Sequence, residues 1–258
     1  MKILAVIGSP KGKGDGYKIV QQIEEQMKKF GDATFEYLLL KDSNLELCRG
    51  CFLCVSRGVD LCPLKDDRIK IEEEIINADG VILSSPGYVY NVSWLMKNFI
   101  DRFAYTNHRP RFFDQKVMLI ANSGGARMEE TIEAMRNTFG VGPEIVDELA
   151  YVTPPWPLTG KAEAKQRKAV SKAAKRLYDS IVEGKREVPG INKYLRFKFF
   201  KNVSSLVKDY LPADYEYYED KDEYYYDTKI SIFKKIAAWF ALKIGMFFMR
   251  DLSPKDSK

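Results

Sequence analysis

Four cysteines stand at Cys48, Cys51, Cys54 and Cys62, and the chain has no others. Their spacing is C-x2-C-x2-C-x7-C. Thiolates are soft ligands suited to zinc or to iron–sulfur clusters, and four of them make a complete set for either. Zinc knuckles separate two C-x2-C pairs by a longer stretch, so this crowded three-plus-one arrangement favours a 4Fe–4S cluster. Structural zinc, unligated thiols and a labile disulfide remain open readings of the same residues. A secreted framework would spread its cysteines along the chain. Their confinement to one stretch instead points to a reducing compartment, and the cytoplasm is the expected location.

Three further stretches have the composition of ligand-binding loops. In the first, Gly8-Ser9-Pro10-Lys11-Gly12-Lys13-Gly14-Asp15-Gly16, glycines let backbone N–H groups approach a phosphate, Ser9 offers a hydroxyl, and Lys11 and Lys13 add positive charge. Its spacing is neither a dinucleotide fingerprint nor a Walker loop. The second runs from Ser84 through Pro86, Gly87, Tyr88 and Asn91 to Ser93, a rigid turn with aromatics able to flank a flat ring. The third is Asn122-Ser123-Gly124-Gly125-Ala126-Arg127. Taken singly, each is equally readable as a surface turn; three at one edge of a sheet are a site.

The elements between these loops predict such an edge. Short apolar runs at 2–7, 34–40, 80–85, 116–122 and 144–152 read as strands, and amphipathic stretches alternate with them. Ile19, Ile23 and Met27 mark one face of the first helix; others are expected at 66–77, 94–105, 128–139 and 161–182. This is an α/β fold, a flavodoxin-like doubly wound five-stranded parallel sheet of order 2-1-3-4-5, whose ligands sit beyond the carboxyl ends of the strands.

At 258 residues, the chain is long enough for one such domain, expected at 1–187, and a helical C-terminal extension at 188–258. Within the extension, 191–207 is aromatic and basic, and 209–227 is dense in tyrosine and acid, the composition of a solvated connector with aromatic anchors. The stretch 229–250 reads as a helix with Phe233, Ile236, Phe240, Ile244 and Phe247 on one stripe, expected to pack on its own domain or a second subunit. Lys234, Lys235 and Lys243 interrupt it too often for a membrane span. Residues 3–7 lack the length and cleavage site of a secretory leader. A net charge of +5 is too mild to imply a nucleic-acid partner.

Gly8-Ser9-Pro10-Lys11 with its glycine-rich turn, Ser85-Pro86-Gly87-Tyr88, Lys97-Asn98-Phe99-Ile100-Asp101-Arg102, the Cys48–Cys54 motif with Cys62, and Asp66-Asp67 resemble the flavodoxin-like NAD(P)H-dependent FMN reductases, in particular their iron–sulfur flavoprotein branch. The likeness spans roughly the first 155 residues and, more loosely, Ala213-Asp214-Tyr215-Glu216-Tyr217. It implies FMN, with Ser9, Pro10, Lys11, Lys13, Gly14, Asp15 and Gly16 around the phosphate, Pro86, Gly87, Tyr88 and Asn91 along the ring, and Ser123, Gly124 and Gly125 closing its other side. Many relatives carry Asn then Thr or Ser where this chain has Asp15 and Gly16, and Asp15 is expected to cap the first helix instead. NAD(P)H would be the co-substrate, the four cysteines would ligate a 4Fe–4S cluster, a small molecule or protein would accept electrons, and the chain would form a homodimer. Arg102 and Arg109 are candidates for a nicotinamide phosphate, and His108, the sole histidine, for a structural or flavin-edge role. A cluster-free quinone or flavin reductase, a non-enzymatic electron carrier and a thiol redox sensor are the alternatives.

Overall fold

Strand β1 (Lys2–Ile7) is buried from Ile3 onward because it has a parallel neighbour on each side. A computed structural model describes residues 1–125 and 127–248 of the chain. With β2 (Thr34–Leu39), β3 (Gly80–Pro86), β4 (Lys116–Ser123) and β5 (Glu144–Val152), β1 forms a parallel sheet of order β2-β1-β3-β4-β5. The expected topology is thus the observed one. β3 is buried at every residue and β4 at all but its last, as strands covered on both faces must be. The edge strands β2 and β5 are mostly half-exposed.

Ile3, Ala5, Ile7, Ile82, Met118 and Ile120 present one face of the sheet. Helix α1 (Asp15–Met27) covers it with Ile19, Val20, Ile23 and Met27. Val170, Ala173, Ala174 and Leu177 of the long helix Gly160–Glu183 complete this layer. The small alanines let that helix approach α1 closely. Alternate residues, among them Leu4, Val6, Leu83 and Leu119, point the other way and are equally buried. On that side lies an aromatic cluster of Phe99, Phe103, Phe112 and Phe139.

The chain divides into two units. One comprises Met1–Gly50 and Leu64–Arg186; the other comprises Cys51–Pro63 and the described residues from Glu187 onward. In the order of the chain, α2 (Leu53–Ser56) belongs to the second unit, while α3 (Arg68–Ile76), α4 (Trp94–Arg102), α5 (Glu129–Arg136) and α6 (Gly160–Glu183) belong to the first. The second unit adds α7 (Ile191–Leu206), α8 (Pro212–Tyr218) and α9 (Ile232–Phe248). The expected helix at 94–105 is shorter, because Phe103 closes α4 and a 3-10 turn, Ala104–Asn107, follows.

Two expectations for the tail are corrected. The aromatic anchors of the stretch at 209–227 do more than tether a solvated connector: Tyr218 and Tyr224 are buried with Tyr194 and Phe197 as the core of the second unit. The stripe of the last helix does not pack on its own unit. Among its described residues only Ala238 is deeply buried, while Phe233, Ile236, Phe240, Ile244 and Phe247 are 49% to 80% exposed. Met249 and Arg250, the end of the expected helix, lie outside the described residues, as does Ala126 of the third loop.

A buried polar group braces the first unit. Glu72 accepts from Arg68 at 2.6 Å and from the Tyr105 hydroxyl at 2.7 Å, and also pairs with Arg111. Burial and the Glu72 charge hold the Tyr105 hydroxyl well above its usual range, so it stays a donor at every ordinary pH.

The tightest junction lies at the carboxyl edge. The Ser93 hydroxyl donates to the Gly8 carbonyl and accepts from Met96 N at 3.1 Å, capping α4. Ser93 N donates to Ser85 Oγ at 3.1 Å. Ser93→Ala removes a helix cap and leaves a buried carbonyl unpaired, which should cost about 1–3 kcal/mol. Urea denaturation followed by circular dichroism measures it.

Candidate functional site

The loops after β1, β3 and β4 meet because their strands are neighbours, and backbone bonds hold them together. Gly8 N donates to Ser84 O at 2.8 Å, Gly87 N to Asn122 O at 2.8 Å, and Thr153 N to Ser123 O at 2.7 Å. Ser9, Gly14, Gly16, Pro86, Gly87, Ser123 and Gly124 are therefore brought to one edge of the first unit.

The first loop has the form of an anion cradle. Ser9 is buried; its carbonyl accepts from Gly12 N at 2.9 Å and its Oγ accepts from Lys11 N at 3.3 Å. The first helical bond of α1 runs from Lys18 N to Gly14 O. The N–H groups of Asp15, Gly16 and Tyr17 therefore emerge from the helix end without helical acceptors, where an anion is favoured. Asp15 does not cap α1. It is already the first helical residue, Gly14 is the N-cap, and no side chain caps the end. Its exposed carboxylate lies 3.9 Å from Lys18, which answers its charge at the surface. Lys13 lies 5.8 Å from the centre of the Tyr17 ring.

Gly16 has a steric cause. A Cβ there would sit 2.6 Å from Ser84 Oγ and 3.2 Å from Asn122 Oδ1. Similarly, a Cβ on Gly87 would sit 2.9 Å from Thr131 Oγ1. Ser84 Oγ, Asn122 Oδ1 and Thr131 Oγ1 are all buried without a hydrogen-bond partner among the described residues. Native proteins seldom leave such atoms unpaired away from functional sites. These residues were not among the expected site residues; a hydroxyl inside a buried strand signals nothing until a glycine from another element is packed on it.

The second loop is a tight turn in which Tyr88 and Asn91 exchange backbone bonds of 2.9 and 3.0 Å. Its central residues, Val89 and Tyr90, have φ of 50° and 62°. Left-handed backbone is costly for a β-branched residue, on the order of 1–3 kcal/mol. Strain of this kind is concentrated at ligand-contacting loops. Tyr88, Val89 and Tyr90 are exposed, and Arg127 of the third loop lies over the Tyr90 ring at 4.6 Å. Asn91 turns its side chain to Val92 N at 2.8 Å, so it braces the turn. A nearby cavity of about 530 Å³, lined by Asp15, Tyr151, Thr153 and Trp156, shares only Asp15 with the expected cofactor residues.

Cys48 lies on an irregular segment of the first unit that is pinned by buried side chains. Its N–H donates to Asn98 Oδ1 at 2.9 Å, and Asn98 Nδ2 donates to the carbonyls of Leu45 and Glu46 at 3.2 Å. Asp66 accepts from Glu46 N at 2.8 Å and pairs with Arg102 at 2.6 Å, both side chains being almost fully buried. Arg102 is thereby committed to the protein, and Arg109 is buried as well, so neither is presented to a nucleotide phosphate. In the second unit, Cys54 sits in α2, which packs against α8, and Cys62 ends a 3-10 turn. No disulfide joins the four cysteines among the described residues; Cys48 and Cys51 are exposed, and Cys54 and Cys62 are half-exposed. Among the described residues, no three His, Cys, Asp or Glu side chains are gathered to hold a metal. The turn that leads into His108 packs on Thr138 and Gly140, which precede the amino end of β5, away from the carboxyl edge where the three loops meet.

Comparison with known proteins agrees with this arrangement. The sequence profile described as NADPH-dependent FMN reductase matches residues 1–153. An iron-sulfur flavoprotein of Archaeoglobus fulgidus is 25% identical over 86% of this chain and 99% of its own length. An iron-sulfur flavoprotein of Methanosarcina thermophila is 28% identical over 57% of this chain and 76% of its own length. The solved structure of an NAD(P)H:quinone oxidoreductase from Methanothermobacter marburgensis superposes with a TM-score of 0.53 at 19% identity, over 69% of this chain and 98% of that one.

The packing of Gly16 on Ser84 can be tested by a mutant pair. Gly16→Ser should destabilise the first unit by roughly 1–3 kcal/mol through overpacking. Ser84→Ala should be nearly neutral or stabilising, because it removes an unpaired buried hydroxyl. The double variant should recover most of the loss in a urea titration.

Proposed function

The chain belongs to the NADPH-dependent FMN reductase family, and on that premise we propose that it is an NAD(P)H oxidoreductase that passes electrons through FMN to a 4Fe–4S cluster. One observation carries the FMN part of the reading: three loops converge on one sheet edge and pack two glycines onto buried hydroxyls that lack partners. Ser9, Pro10, Lys11, Lys13, Gly14, Asp15 and Gly16 would hold the phosphate through backbone donors and the positive end of α1. Pro86, Gly87, Tyr88 and Asn91 would line the ring, with Ser123, Gly124 and Gly125 opposite. When bound, the flavin supplies hydride acceptance and conversion between two- and one-electron traffic. The protein contributes orientation, a fixed dipole at the phosphate and a strained turn at the ring.

The donor set Cys48, Cys51, Cys54 and Cys62 is chemically complete for a 4Fe–4S cluster, and the names of the relatives support that choice. Its acceptor would be a small molecule or a protein. Thiols confined to one stretch support a cytoplasmic location, and the family resemblance supports a homodimer. A cluster-free quinone or flavin reductase is the second reading, favoured by the absence of three gathered metal-binding side chains among the described residues.

The test is an anaerobic absorption spectrum of the purified protein, with iron and acid-labile sulfide assayed on the same sample. Flavin with near-stoichiometric iron and sulfide is the expected result. Cys51→Ser should lose the iron and keep the flavin. Flavin without iron in the unaltered protein would select the cluster-free reductase, and retained iron and sulfide in the variant would remove Cys51 from the ligand set.

A further inference from the structure

Helix α9 is built inside out. Its small residue Ala238 faces the core of the second unit, whereas Phe233, Ile236, Phe240, Ile244 and Phe247 form an exposed stripe at the spacing of the helical turn. Trp239 is also exposed, and the Lys243 ammonium lies 3.9 Å from the centre of its ring. A run of large apolar side chains this long is seldom left in water. Lys234, Lys235 and Lys243 lie within the same helix, and no described helix is long and apolar enough to cross a membrane. A stripe of this kind beside lysines suits a helix lying in the plane of a lipid surface.

The charge around the stripe favours one occupant. Neither α7 nor α9 contains an acid, and α7 adds Lys193, Arg196, Lys198 and Lys201. Between the two helices runs a groove of about 660 Å³ bordered by Lys198, Lys235, Trp239 and Lys243. Lys235 pairs with Glu223, and Asp222 at the rim stands 4.0 Å from Lys201. Lys198 and Lys243 have no carboxylate within ion-pair distance among the described residues. Burial and the neighbouring charge of Lys201 hold the Lys198 ammonium below its usual range, so an anion in the groove would relieve it. A second copy laid on the same stripe would bury Lys243 of both chains, and α9 has no acid to receive it. Phosphate headgroups would receive it, with the lysine stem reaching up from the apolar layer.

We propose that the α7–α9 surface docks on an anionic phospholipid bilayer, the stripe of α9 entering the acyl boundary while Lys198 and Lys243 meet headgroup phosphates. The experiment is sedimentation of the full chain, as purified, with vesicles of phosphatidylglycerol and phosphatidylcholine in roughly equal parts, and with vesicles of phosphatidylcholine alone. The chain should bind the anionic vesicles, bind the neutral ones weakly, and be released in part by high salt. Binding should shift the tryptophan emission to shorter wavelength, and the shift should be lost in Trp239→Phe. Phe240→Glu and Lys243→Glu should each weaken binding by about tenfold or more, whereas Lys172→Glu, on exposed α6 surface, should not. All of these side chains lie at the surface, and unchanged circular dichroism and flavin absorbance would show the fold intact. No binding to anionic vesicles, or equal binding to both kinds, overturns the proposal. So does a change in oligomeric state in Phe240→Glu with vesicle binding unaltered, which would assign the stripe to a second copy.

Discussion

A parallel sheet leaves the backbone of each departing strand unpaired at its carboxyl end, and in this protein one hydroxyl answers much of that need. Ser93 takes the Gly8 carbonyl at the exit of β1, the first turn of α4 and, through its own N–H, Ser85 on β3. The first loop, the second loop and the helix behind them therefore share one joint. Because the joint is buried, water cannot replace any of its members at low cost, and the loops inherit the rigidity of the strands. The carboxyl edge can thus carry a strained turn at Val89 and Tyr90 without losing its shape.

A second investment of polar groups serves an irregular segment. Asp66, Arg102 and Asn98 spend their hydrogen-bonding capacity largely on one another and on the backbone of residues 45–48. Burying a charged pair seldom adds net stability over an apolar core. What it gives here is definition: a stretch without helix or strand receives fixed partners, and it is the stretch that carries Cys48.

Much of this was legible in the order of residues. The strands were, because each is a continuous apolar run flanked by amphipathic helices, and five such units admit few topologies. The meeting of the three glycine-bearing loops was, because the strand order alone brings them to one edge. Ser84 and Thr131 were not, since a serine in a buried strand looks like any other until Gly16 or Gly87 approaches it from elsewhere in the chain. Asp15 was misread for a related reason: one residue of helix register separates a cap from a first-turn acid. The tyrosines of 209–227 were underestimated, because their acidic neighbours suggested solvent while their rings pack inward on α7. The outward stripe of α9 was visible as a stripe, but periodicity says only that a face is apolar, never which way it points.

The chain leaves the first unit at Gly50 and rejoins it at Leu64, and the excursion between them belongs with residues from Glu187 onward. During synthesis, the sheet has all its strands before the packing partners of Cys51, Cys54 and Cys62 exist. A domain emerging from the ribosome folds as a unit when its contacts are complete. Three of the four thiols, tethered at both ends to the first unit, consequently await a segment made much later in the chain. Completion of the thiol loop therefore follows the synthesis of residues beyond Glu187, after every strand of the sheet has been made.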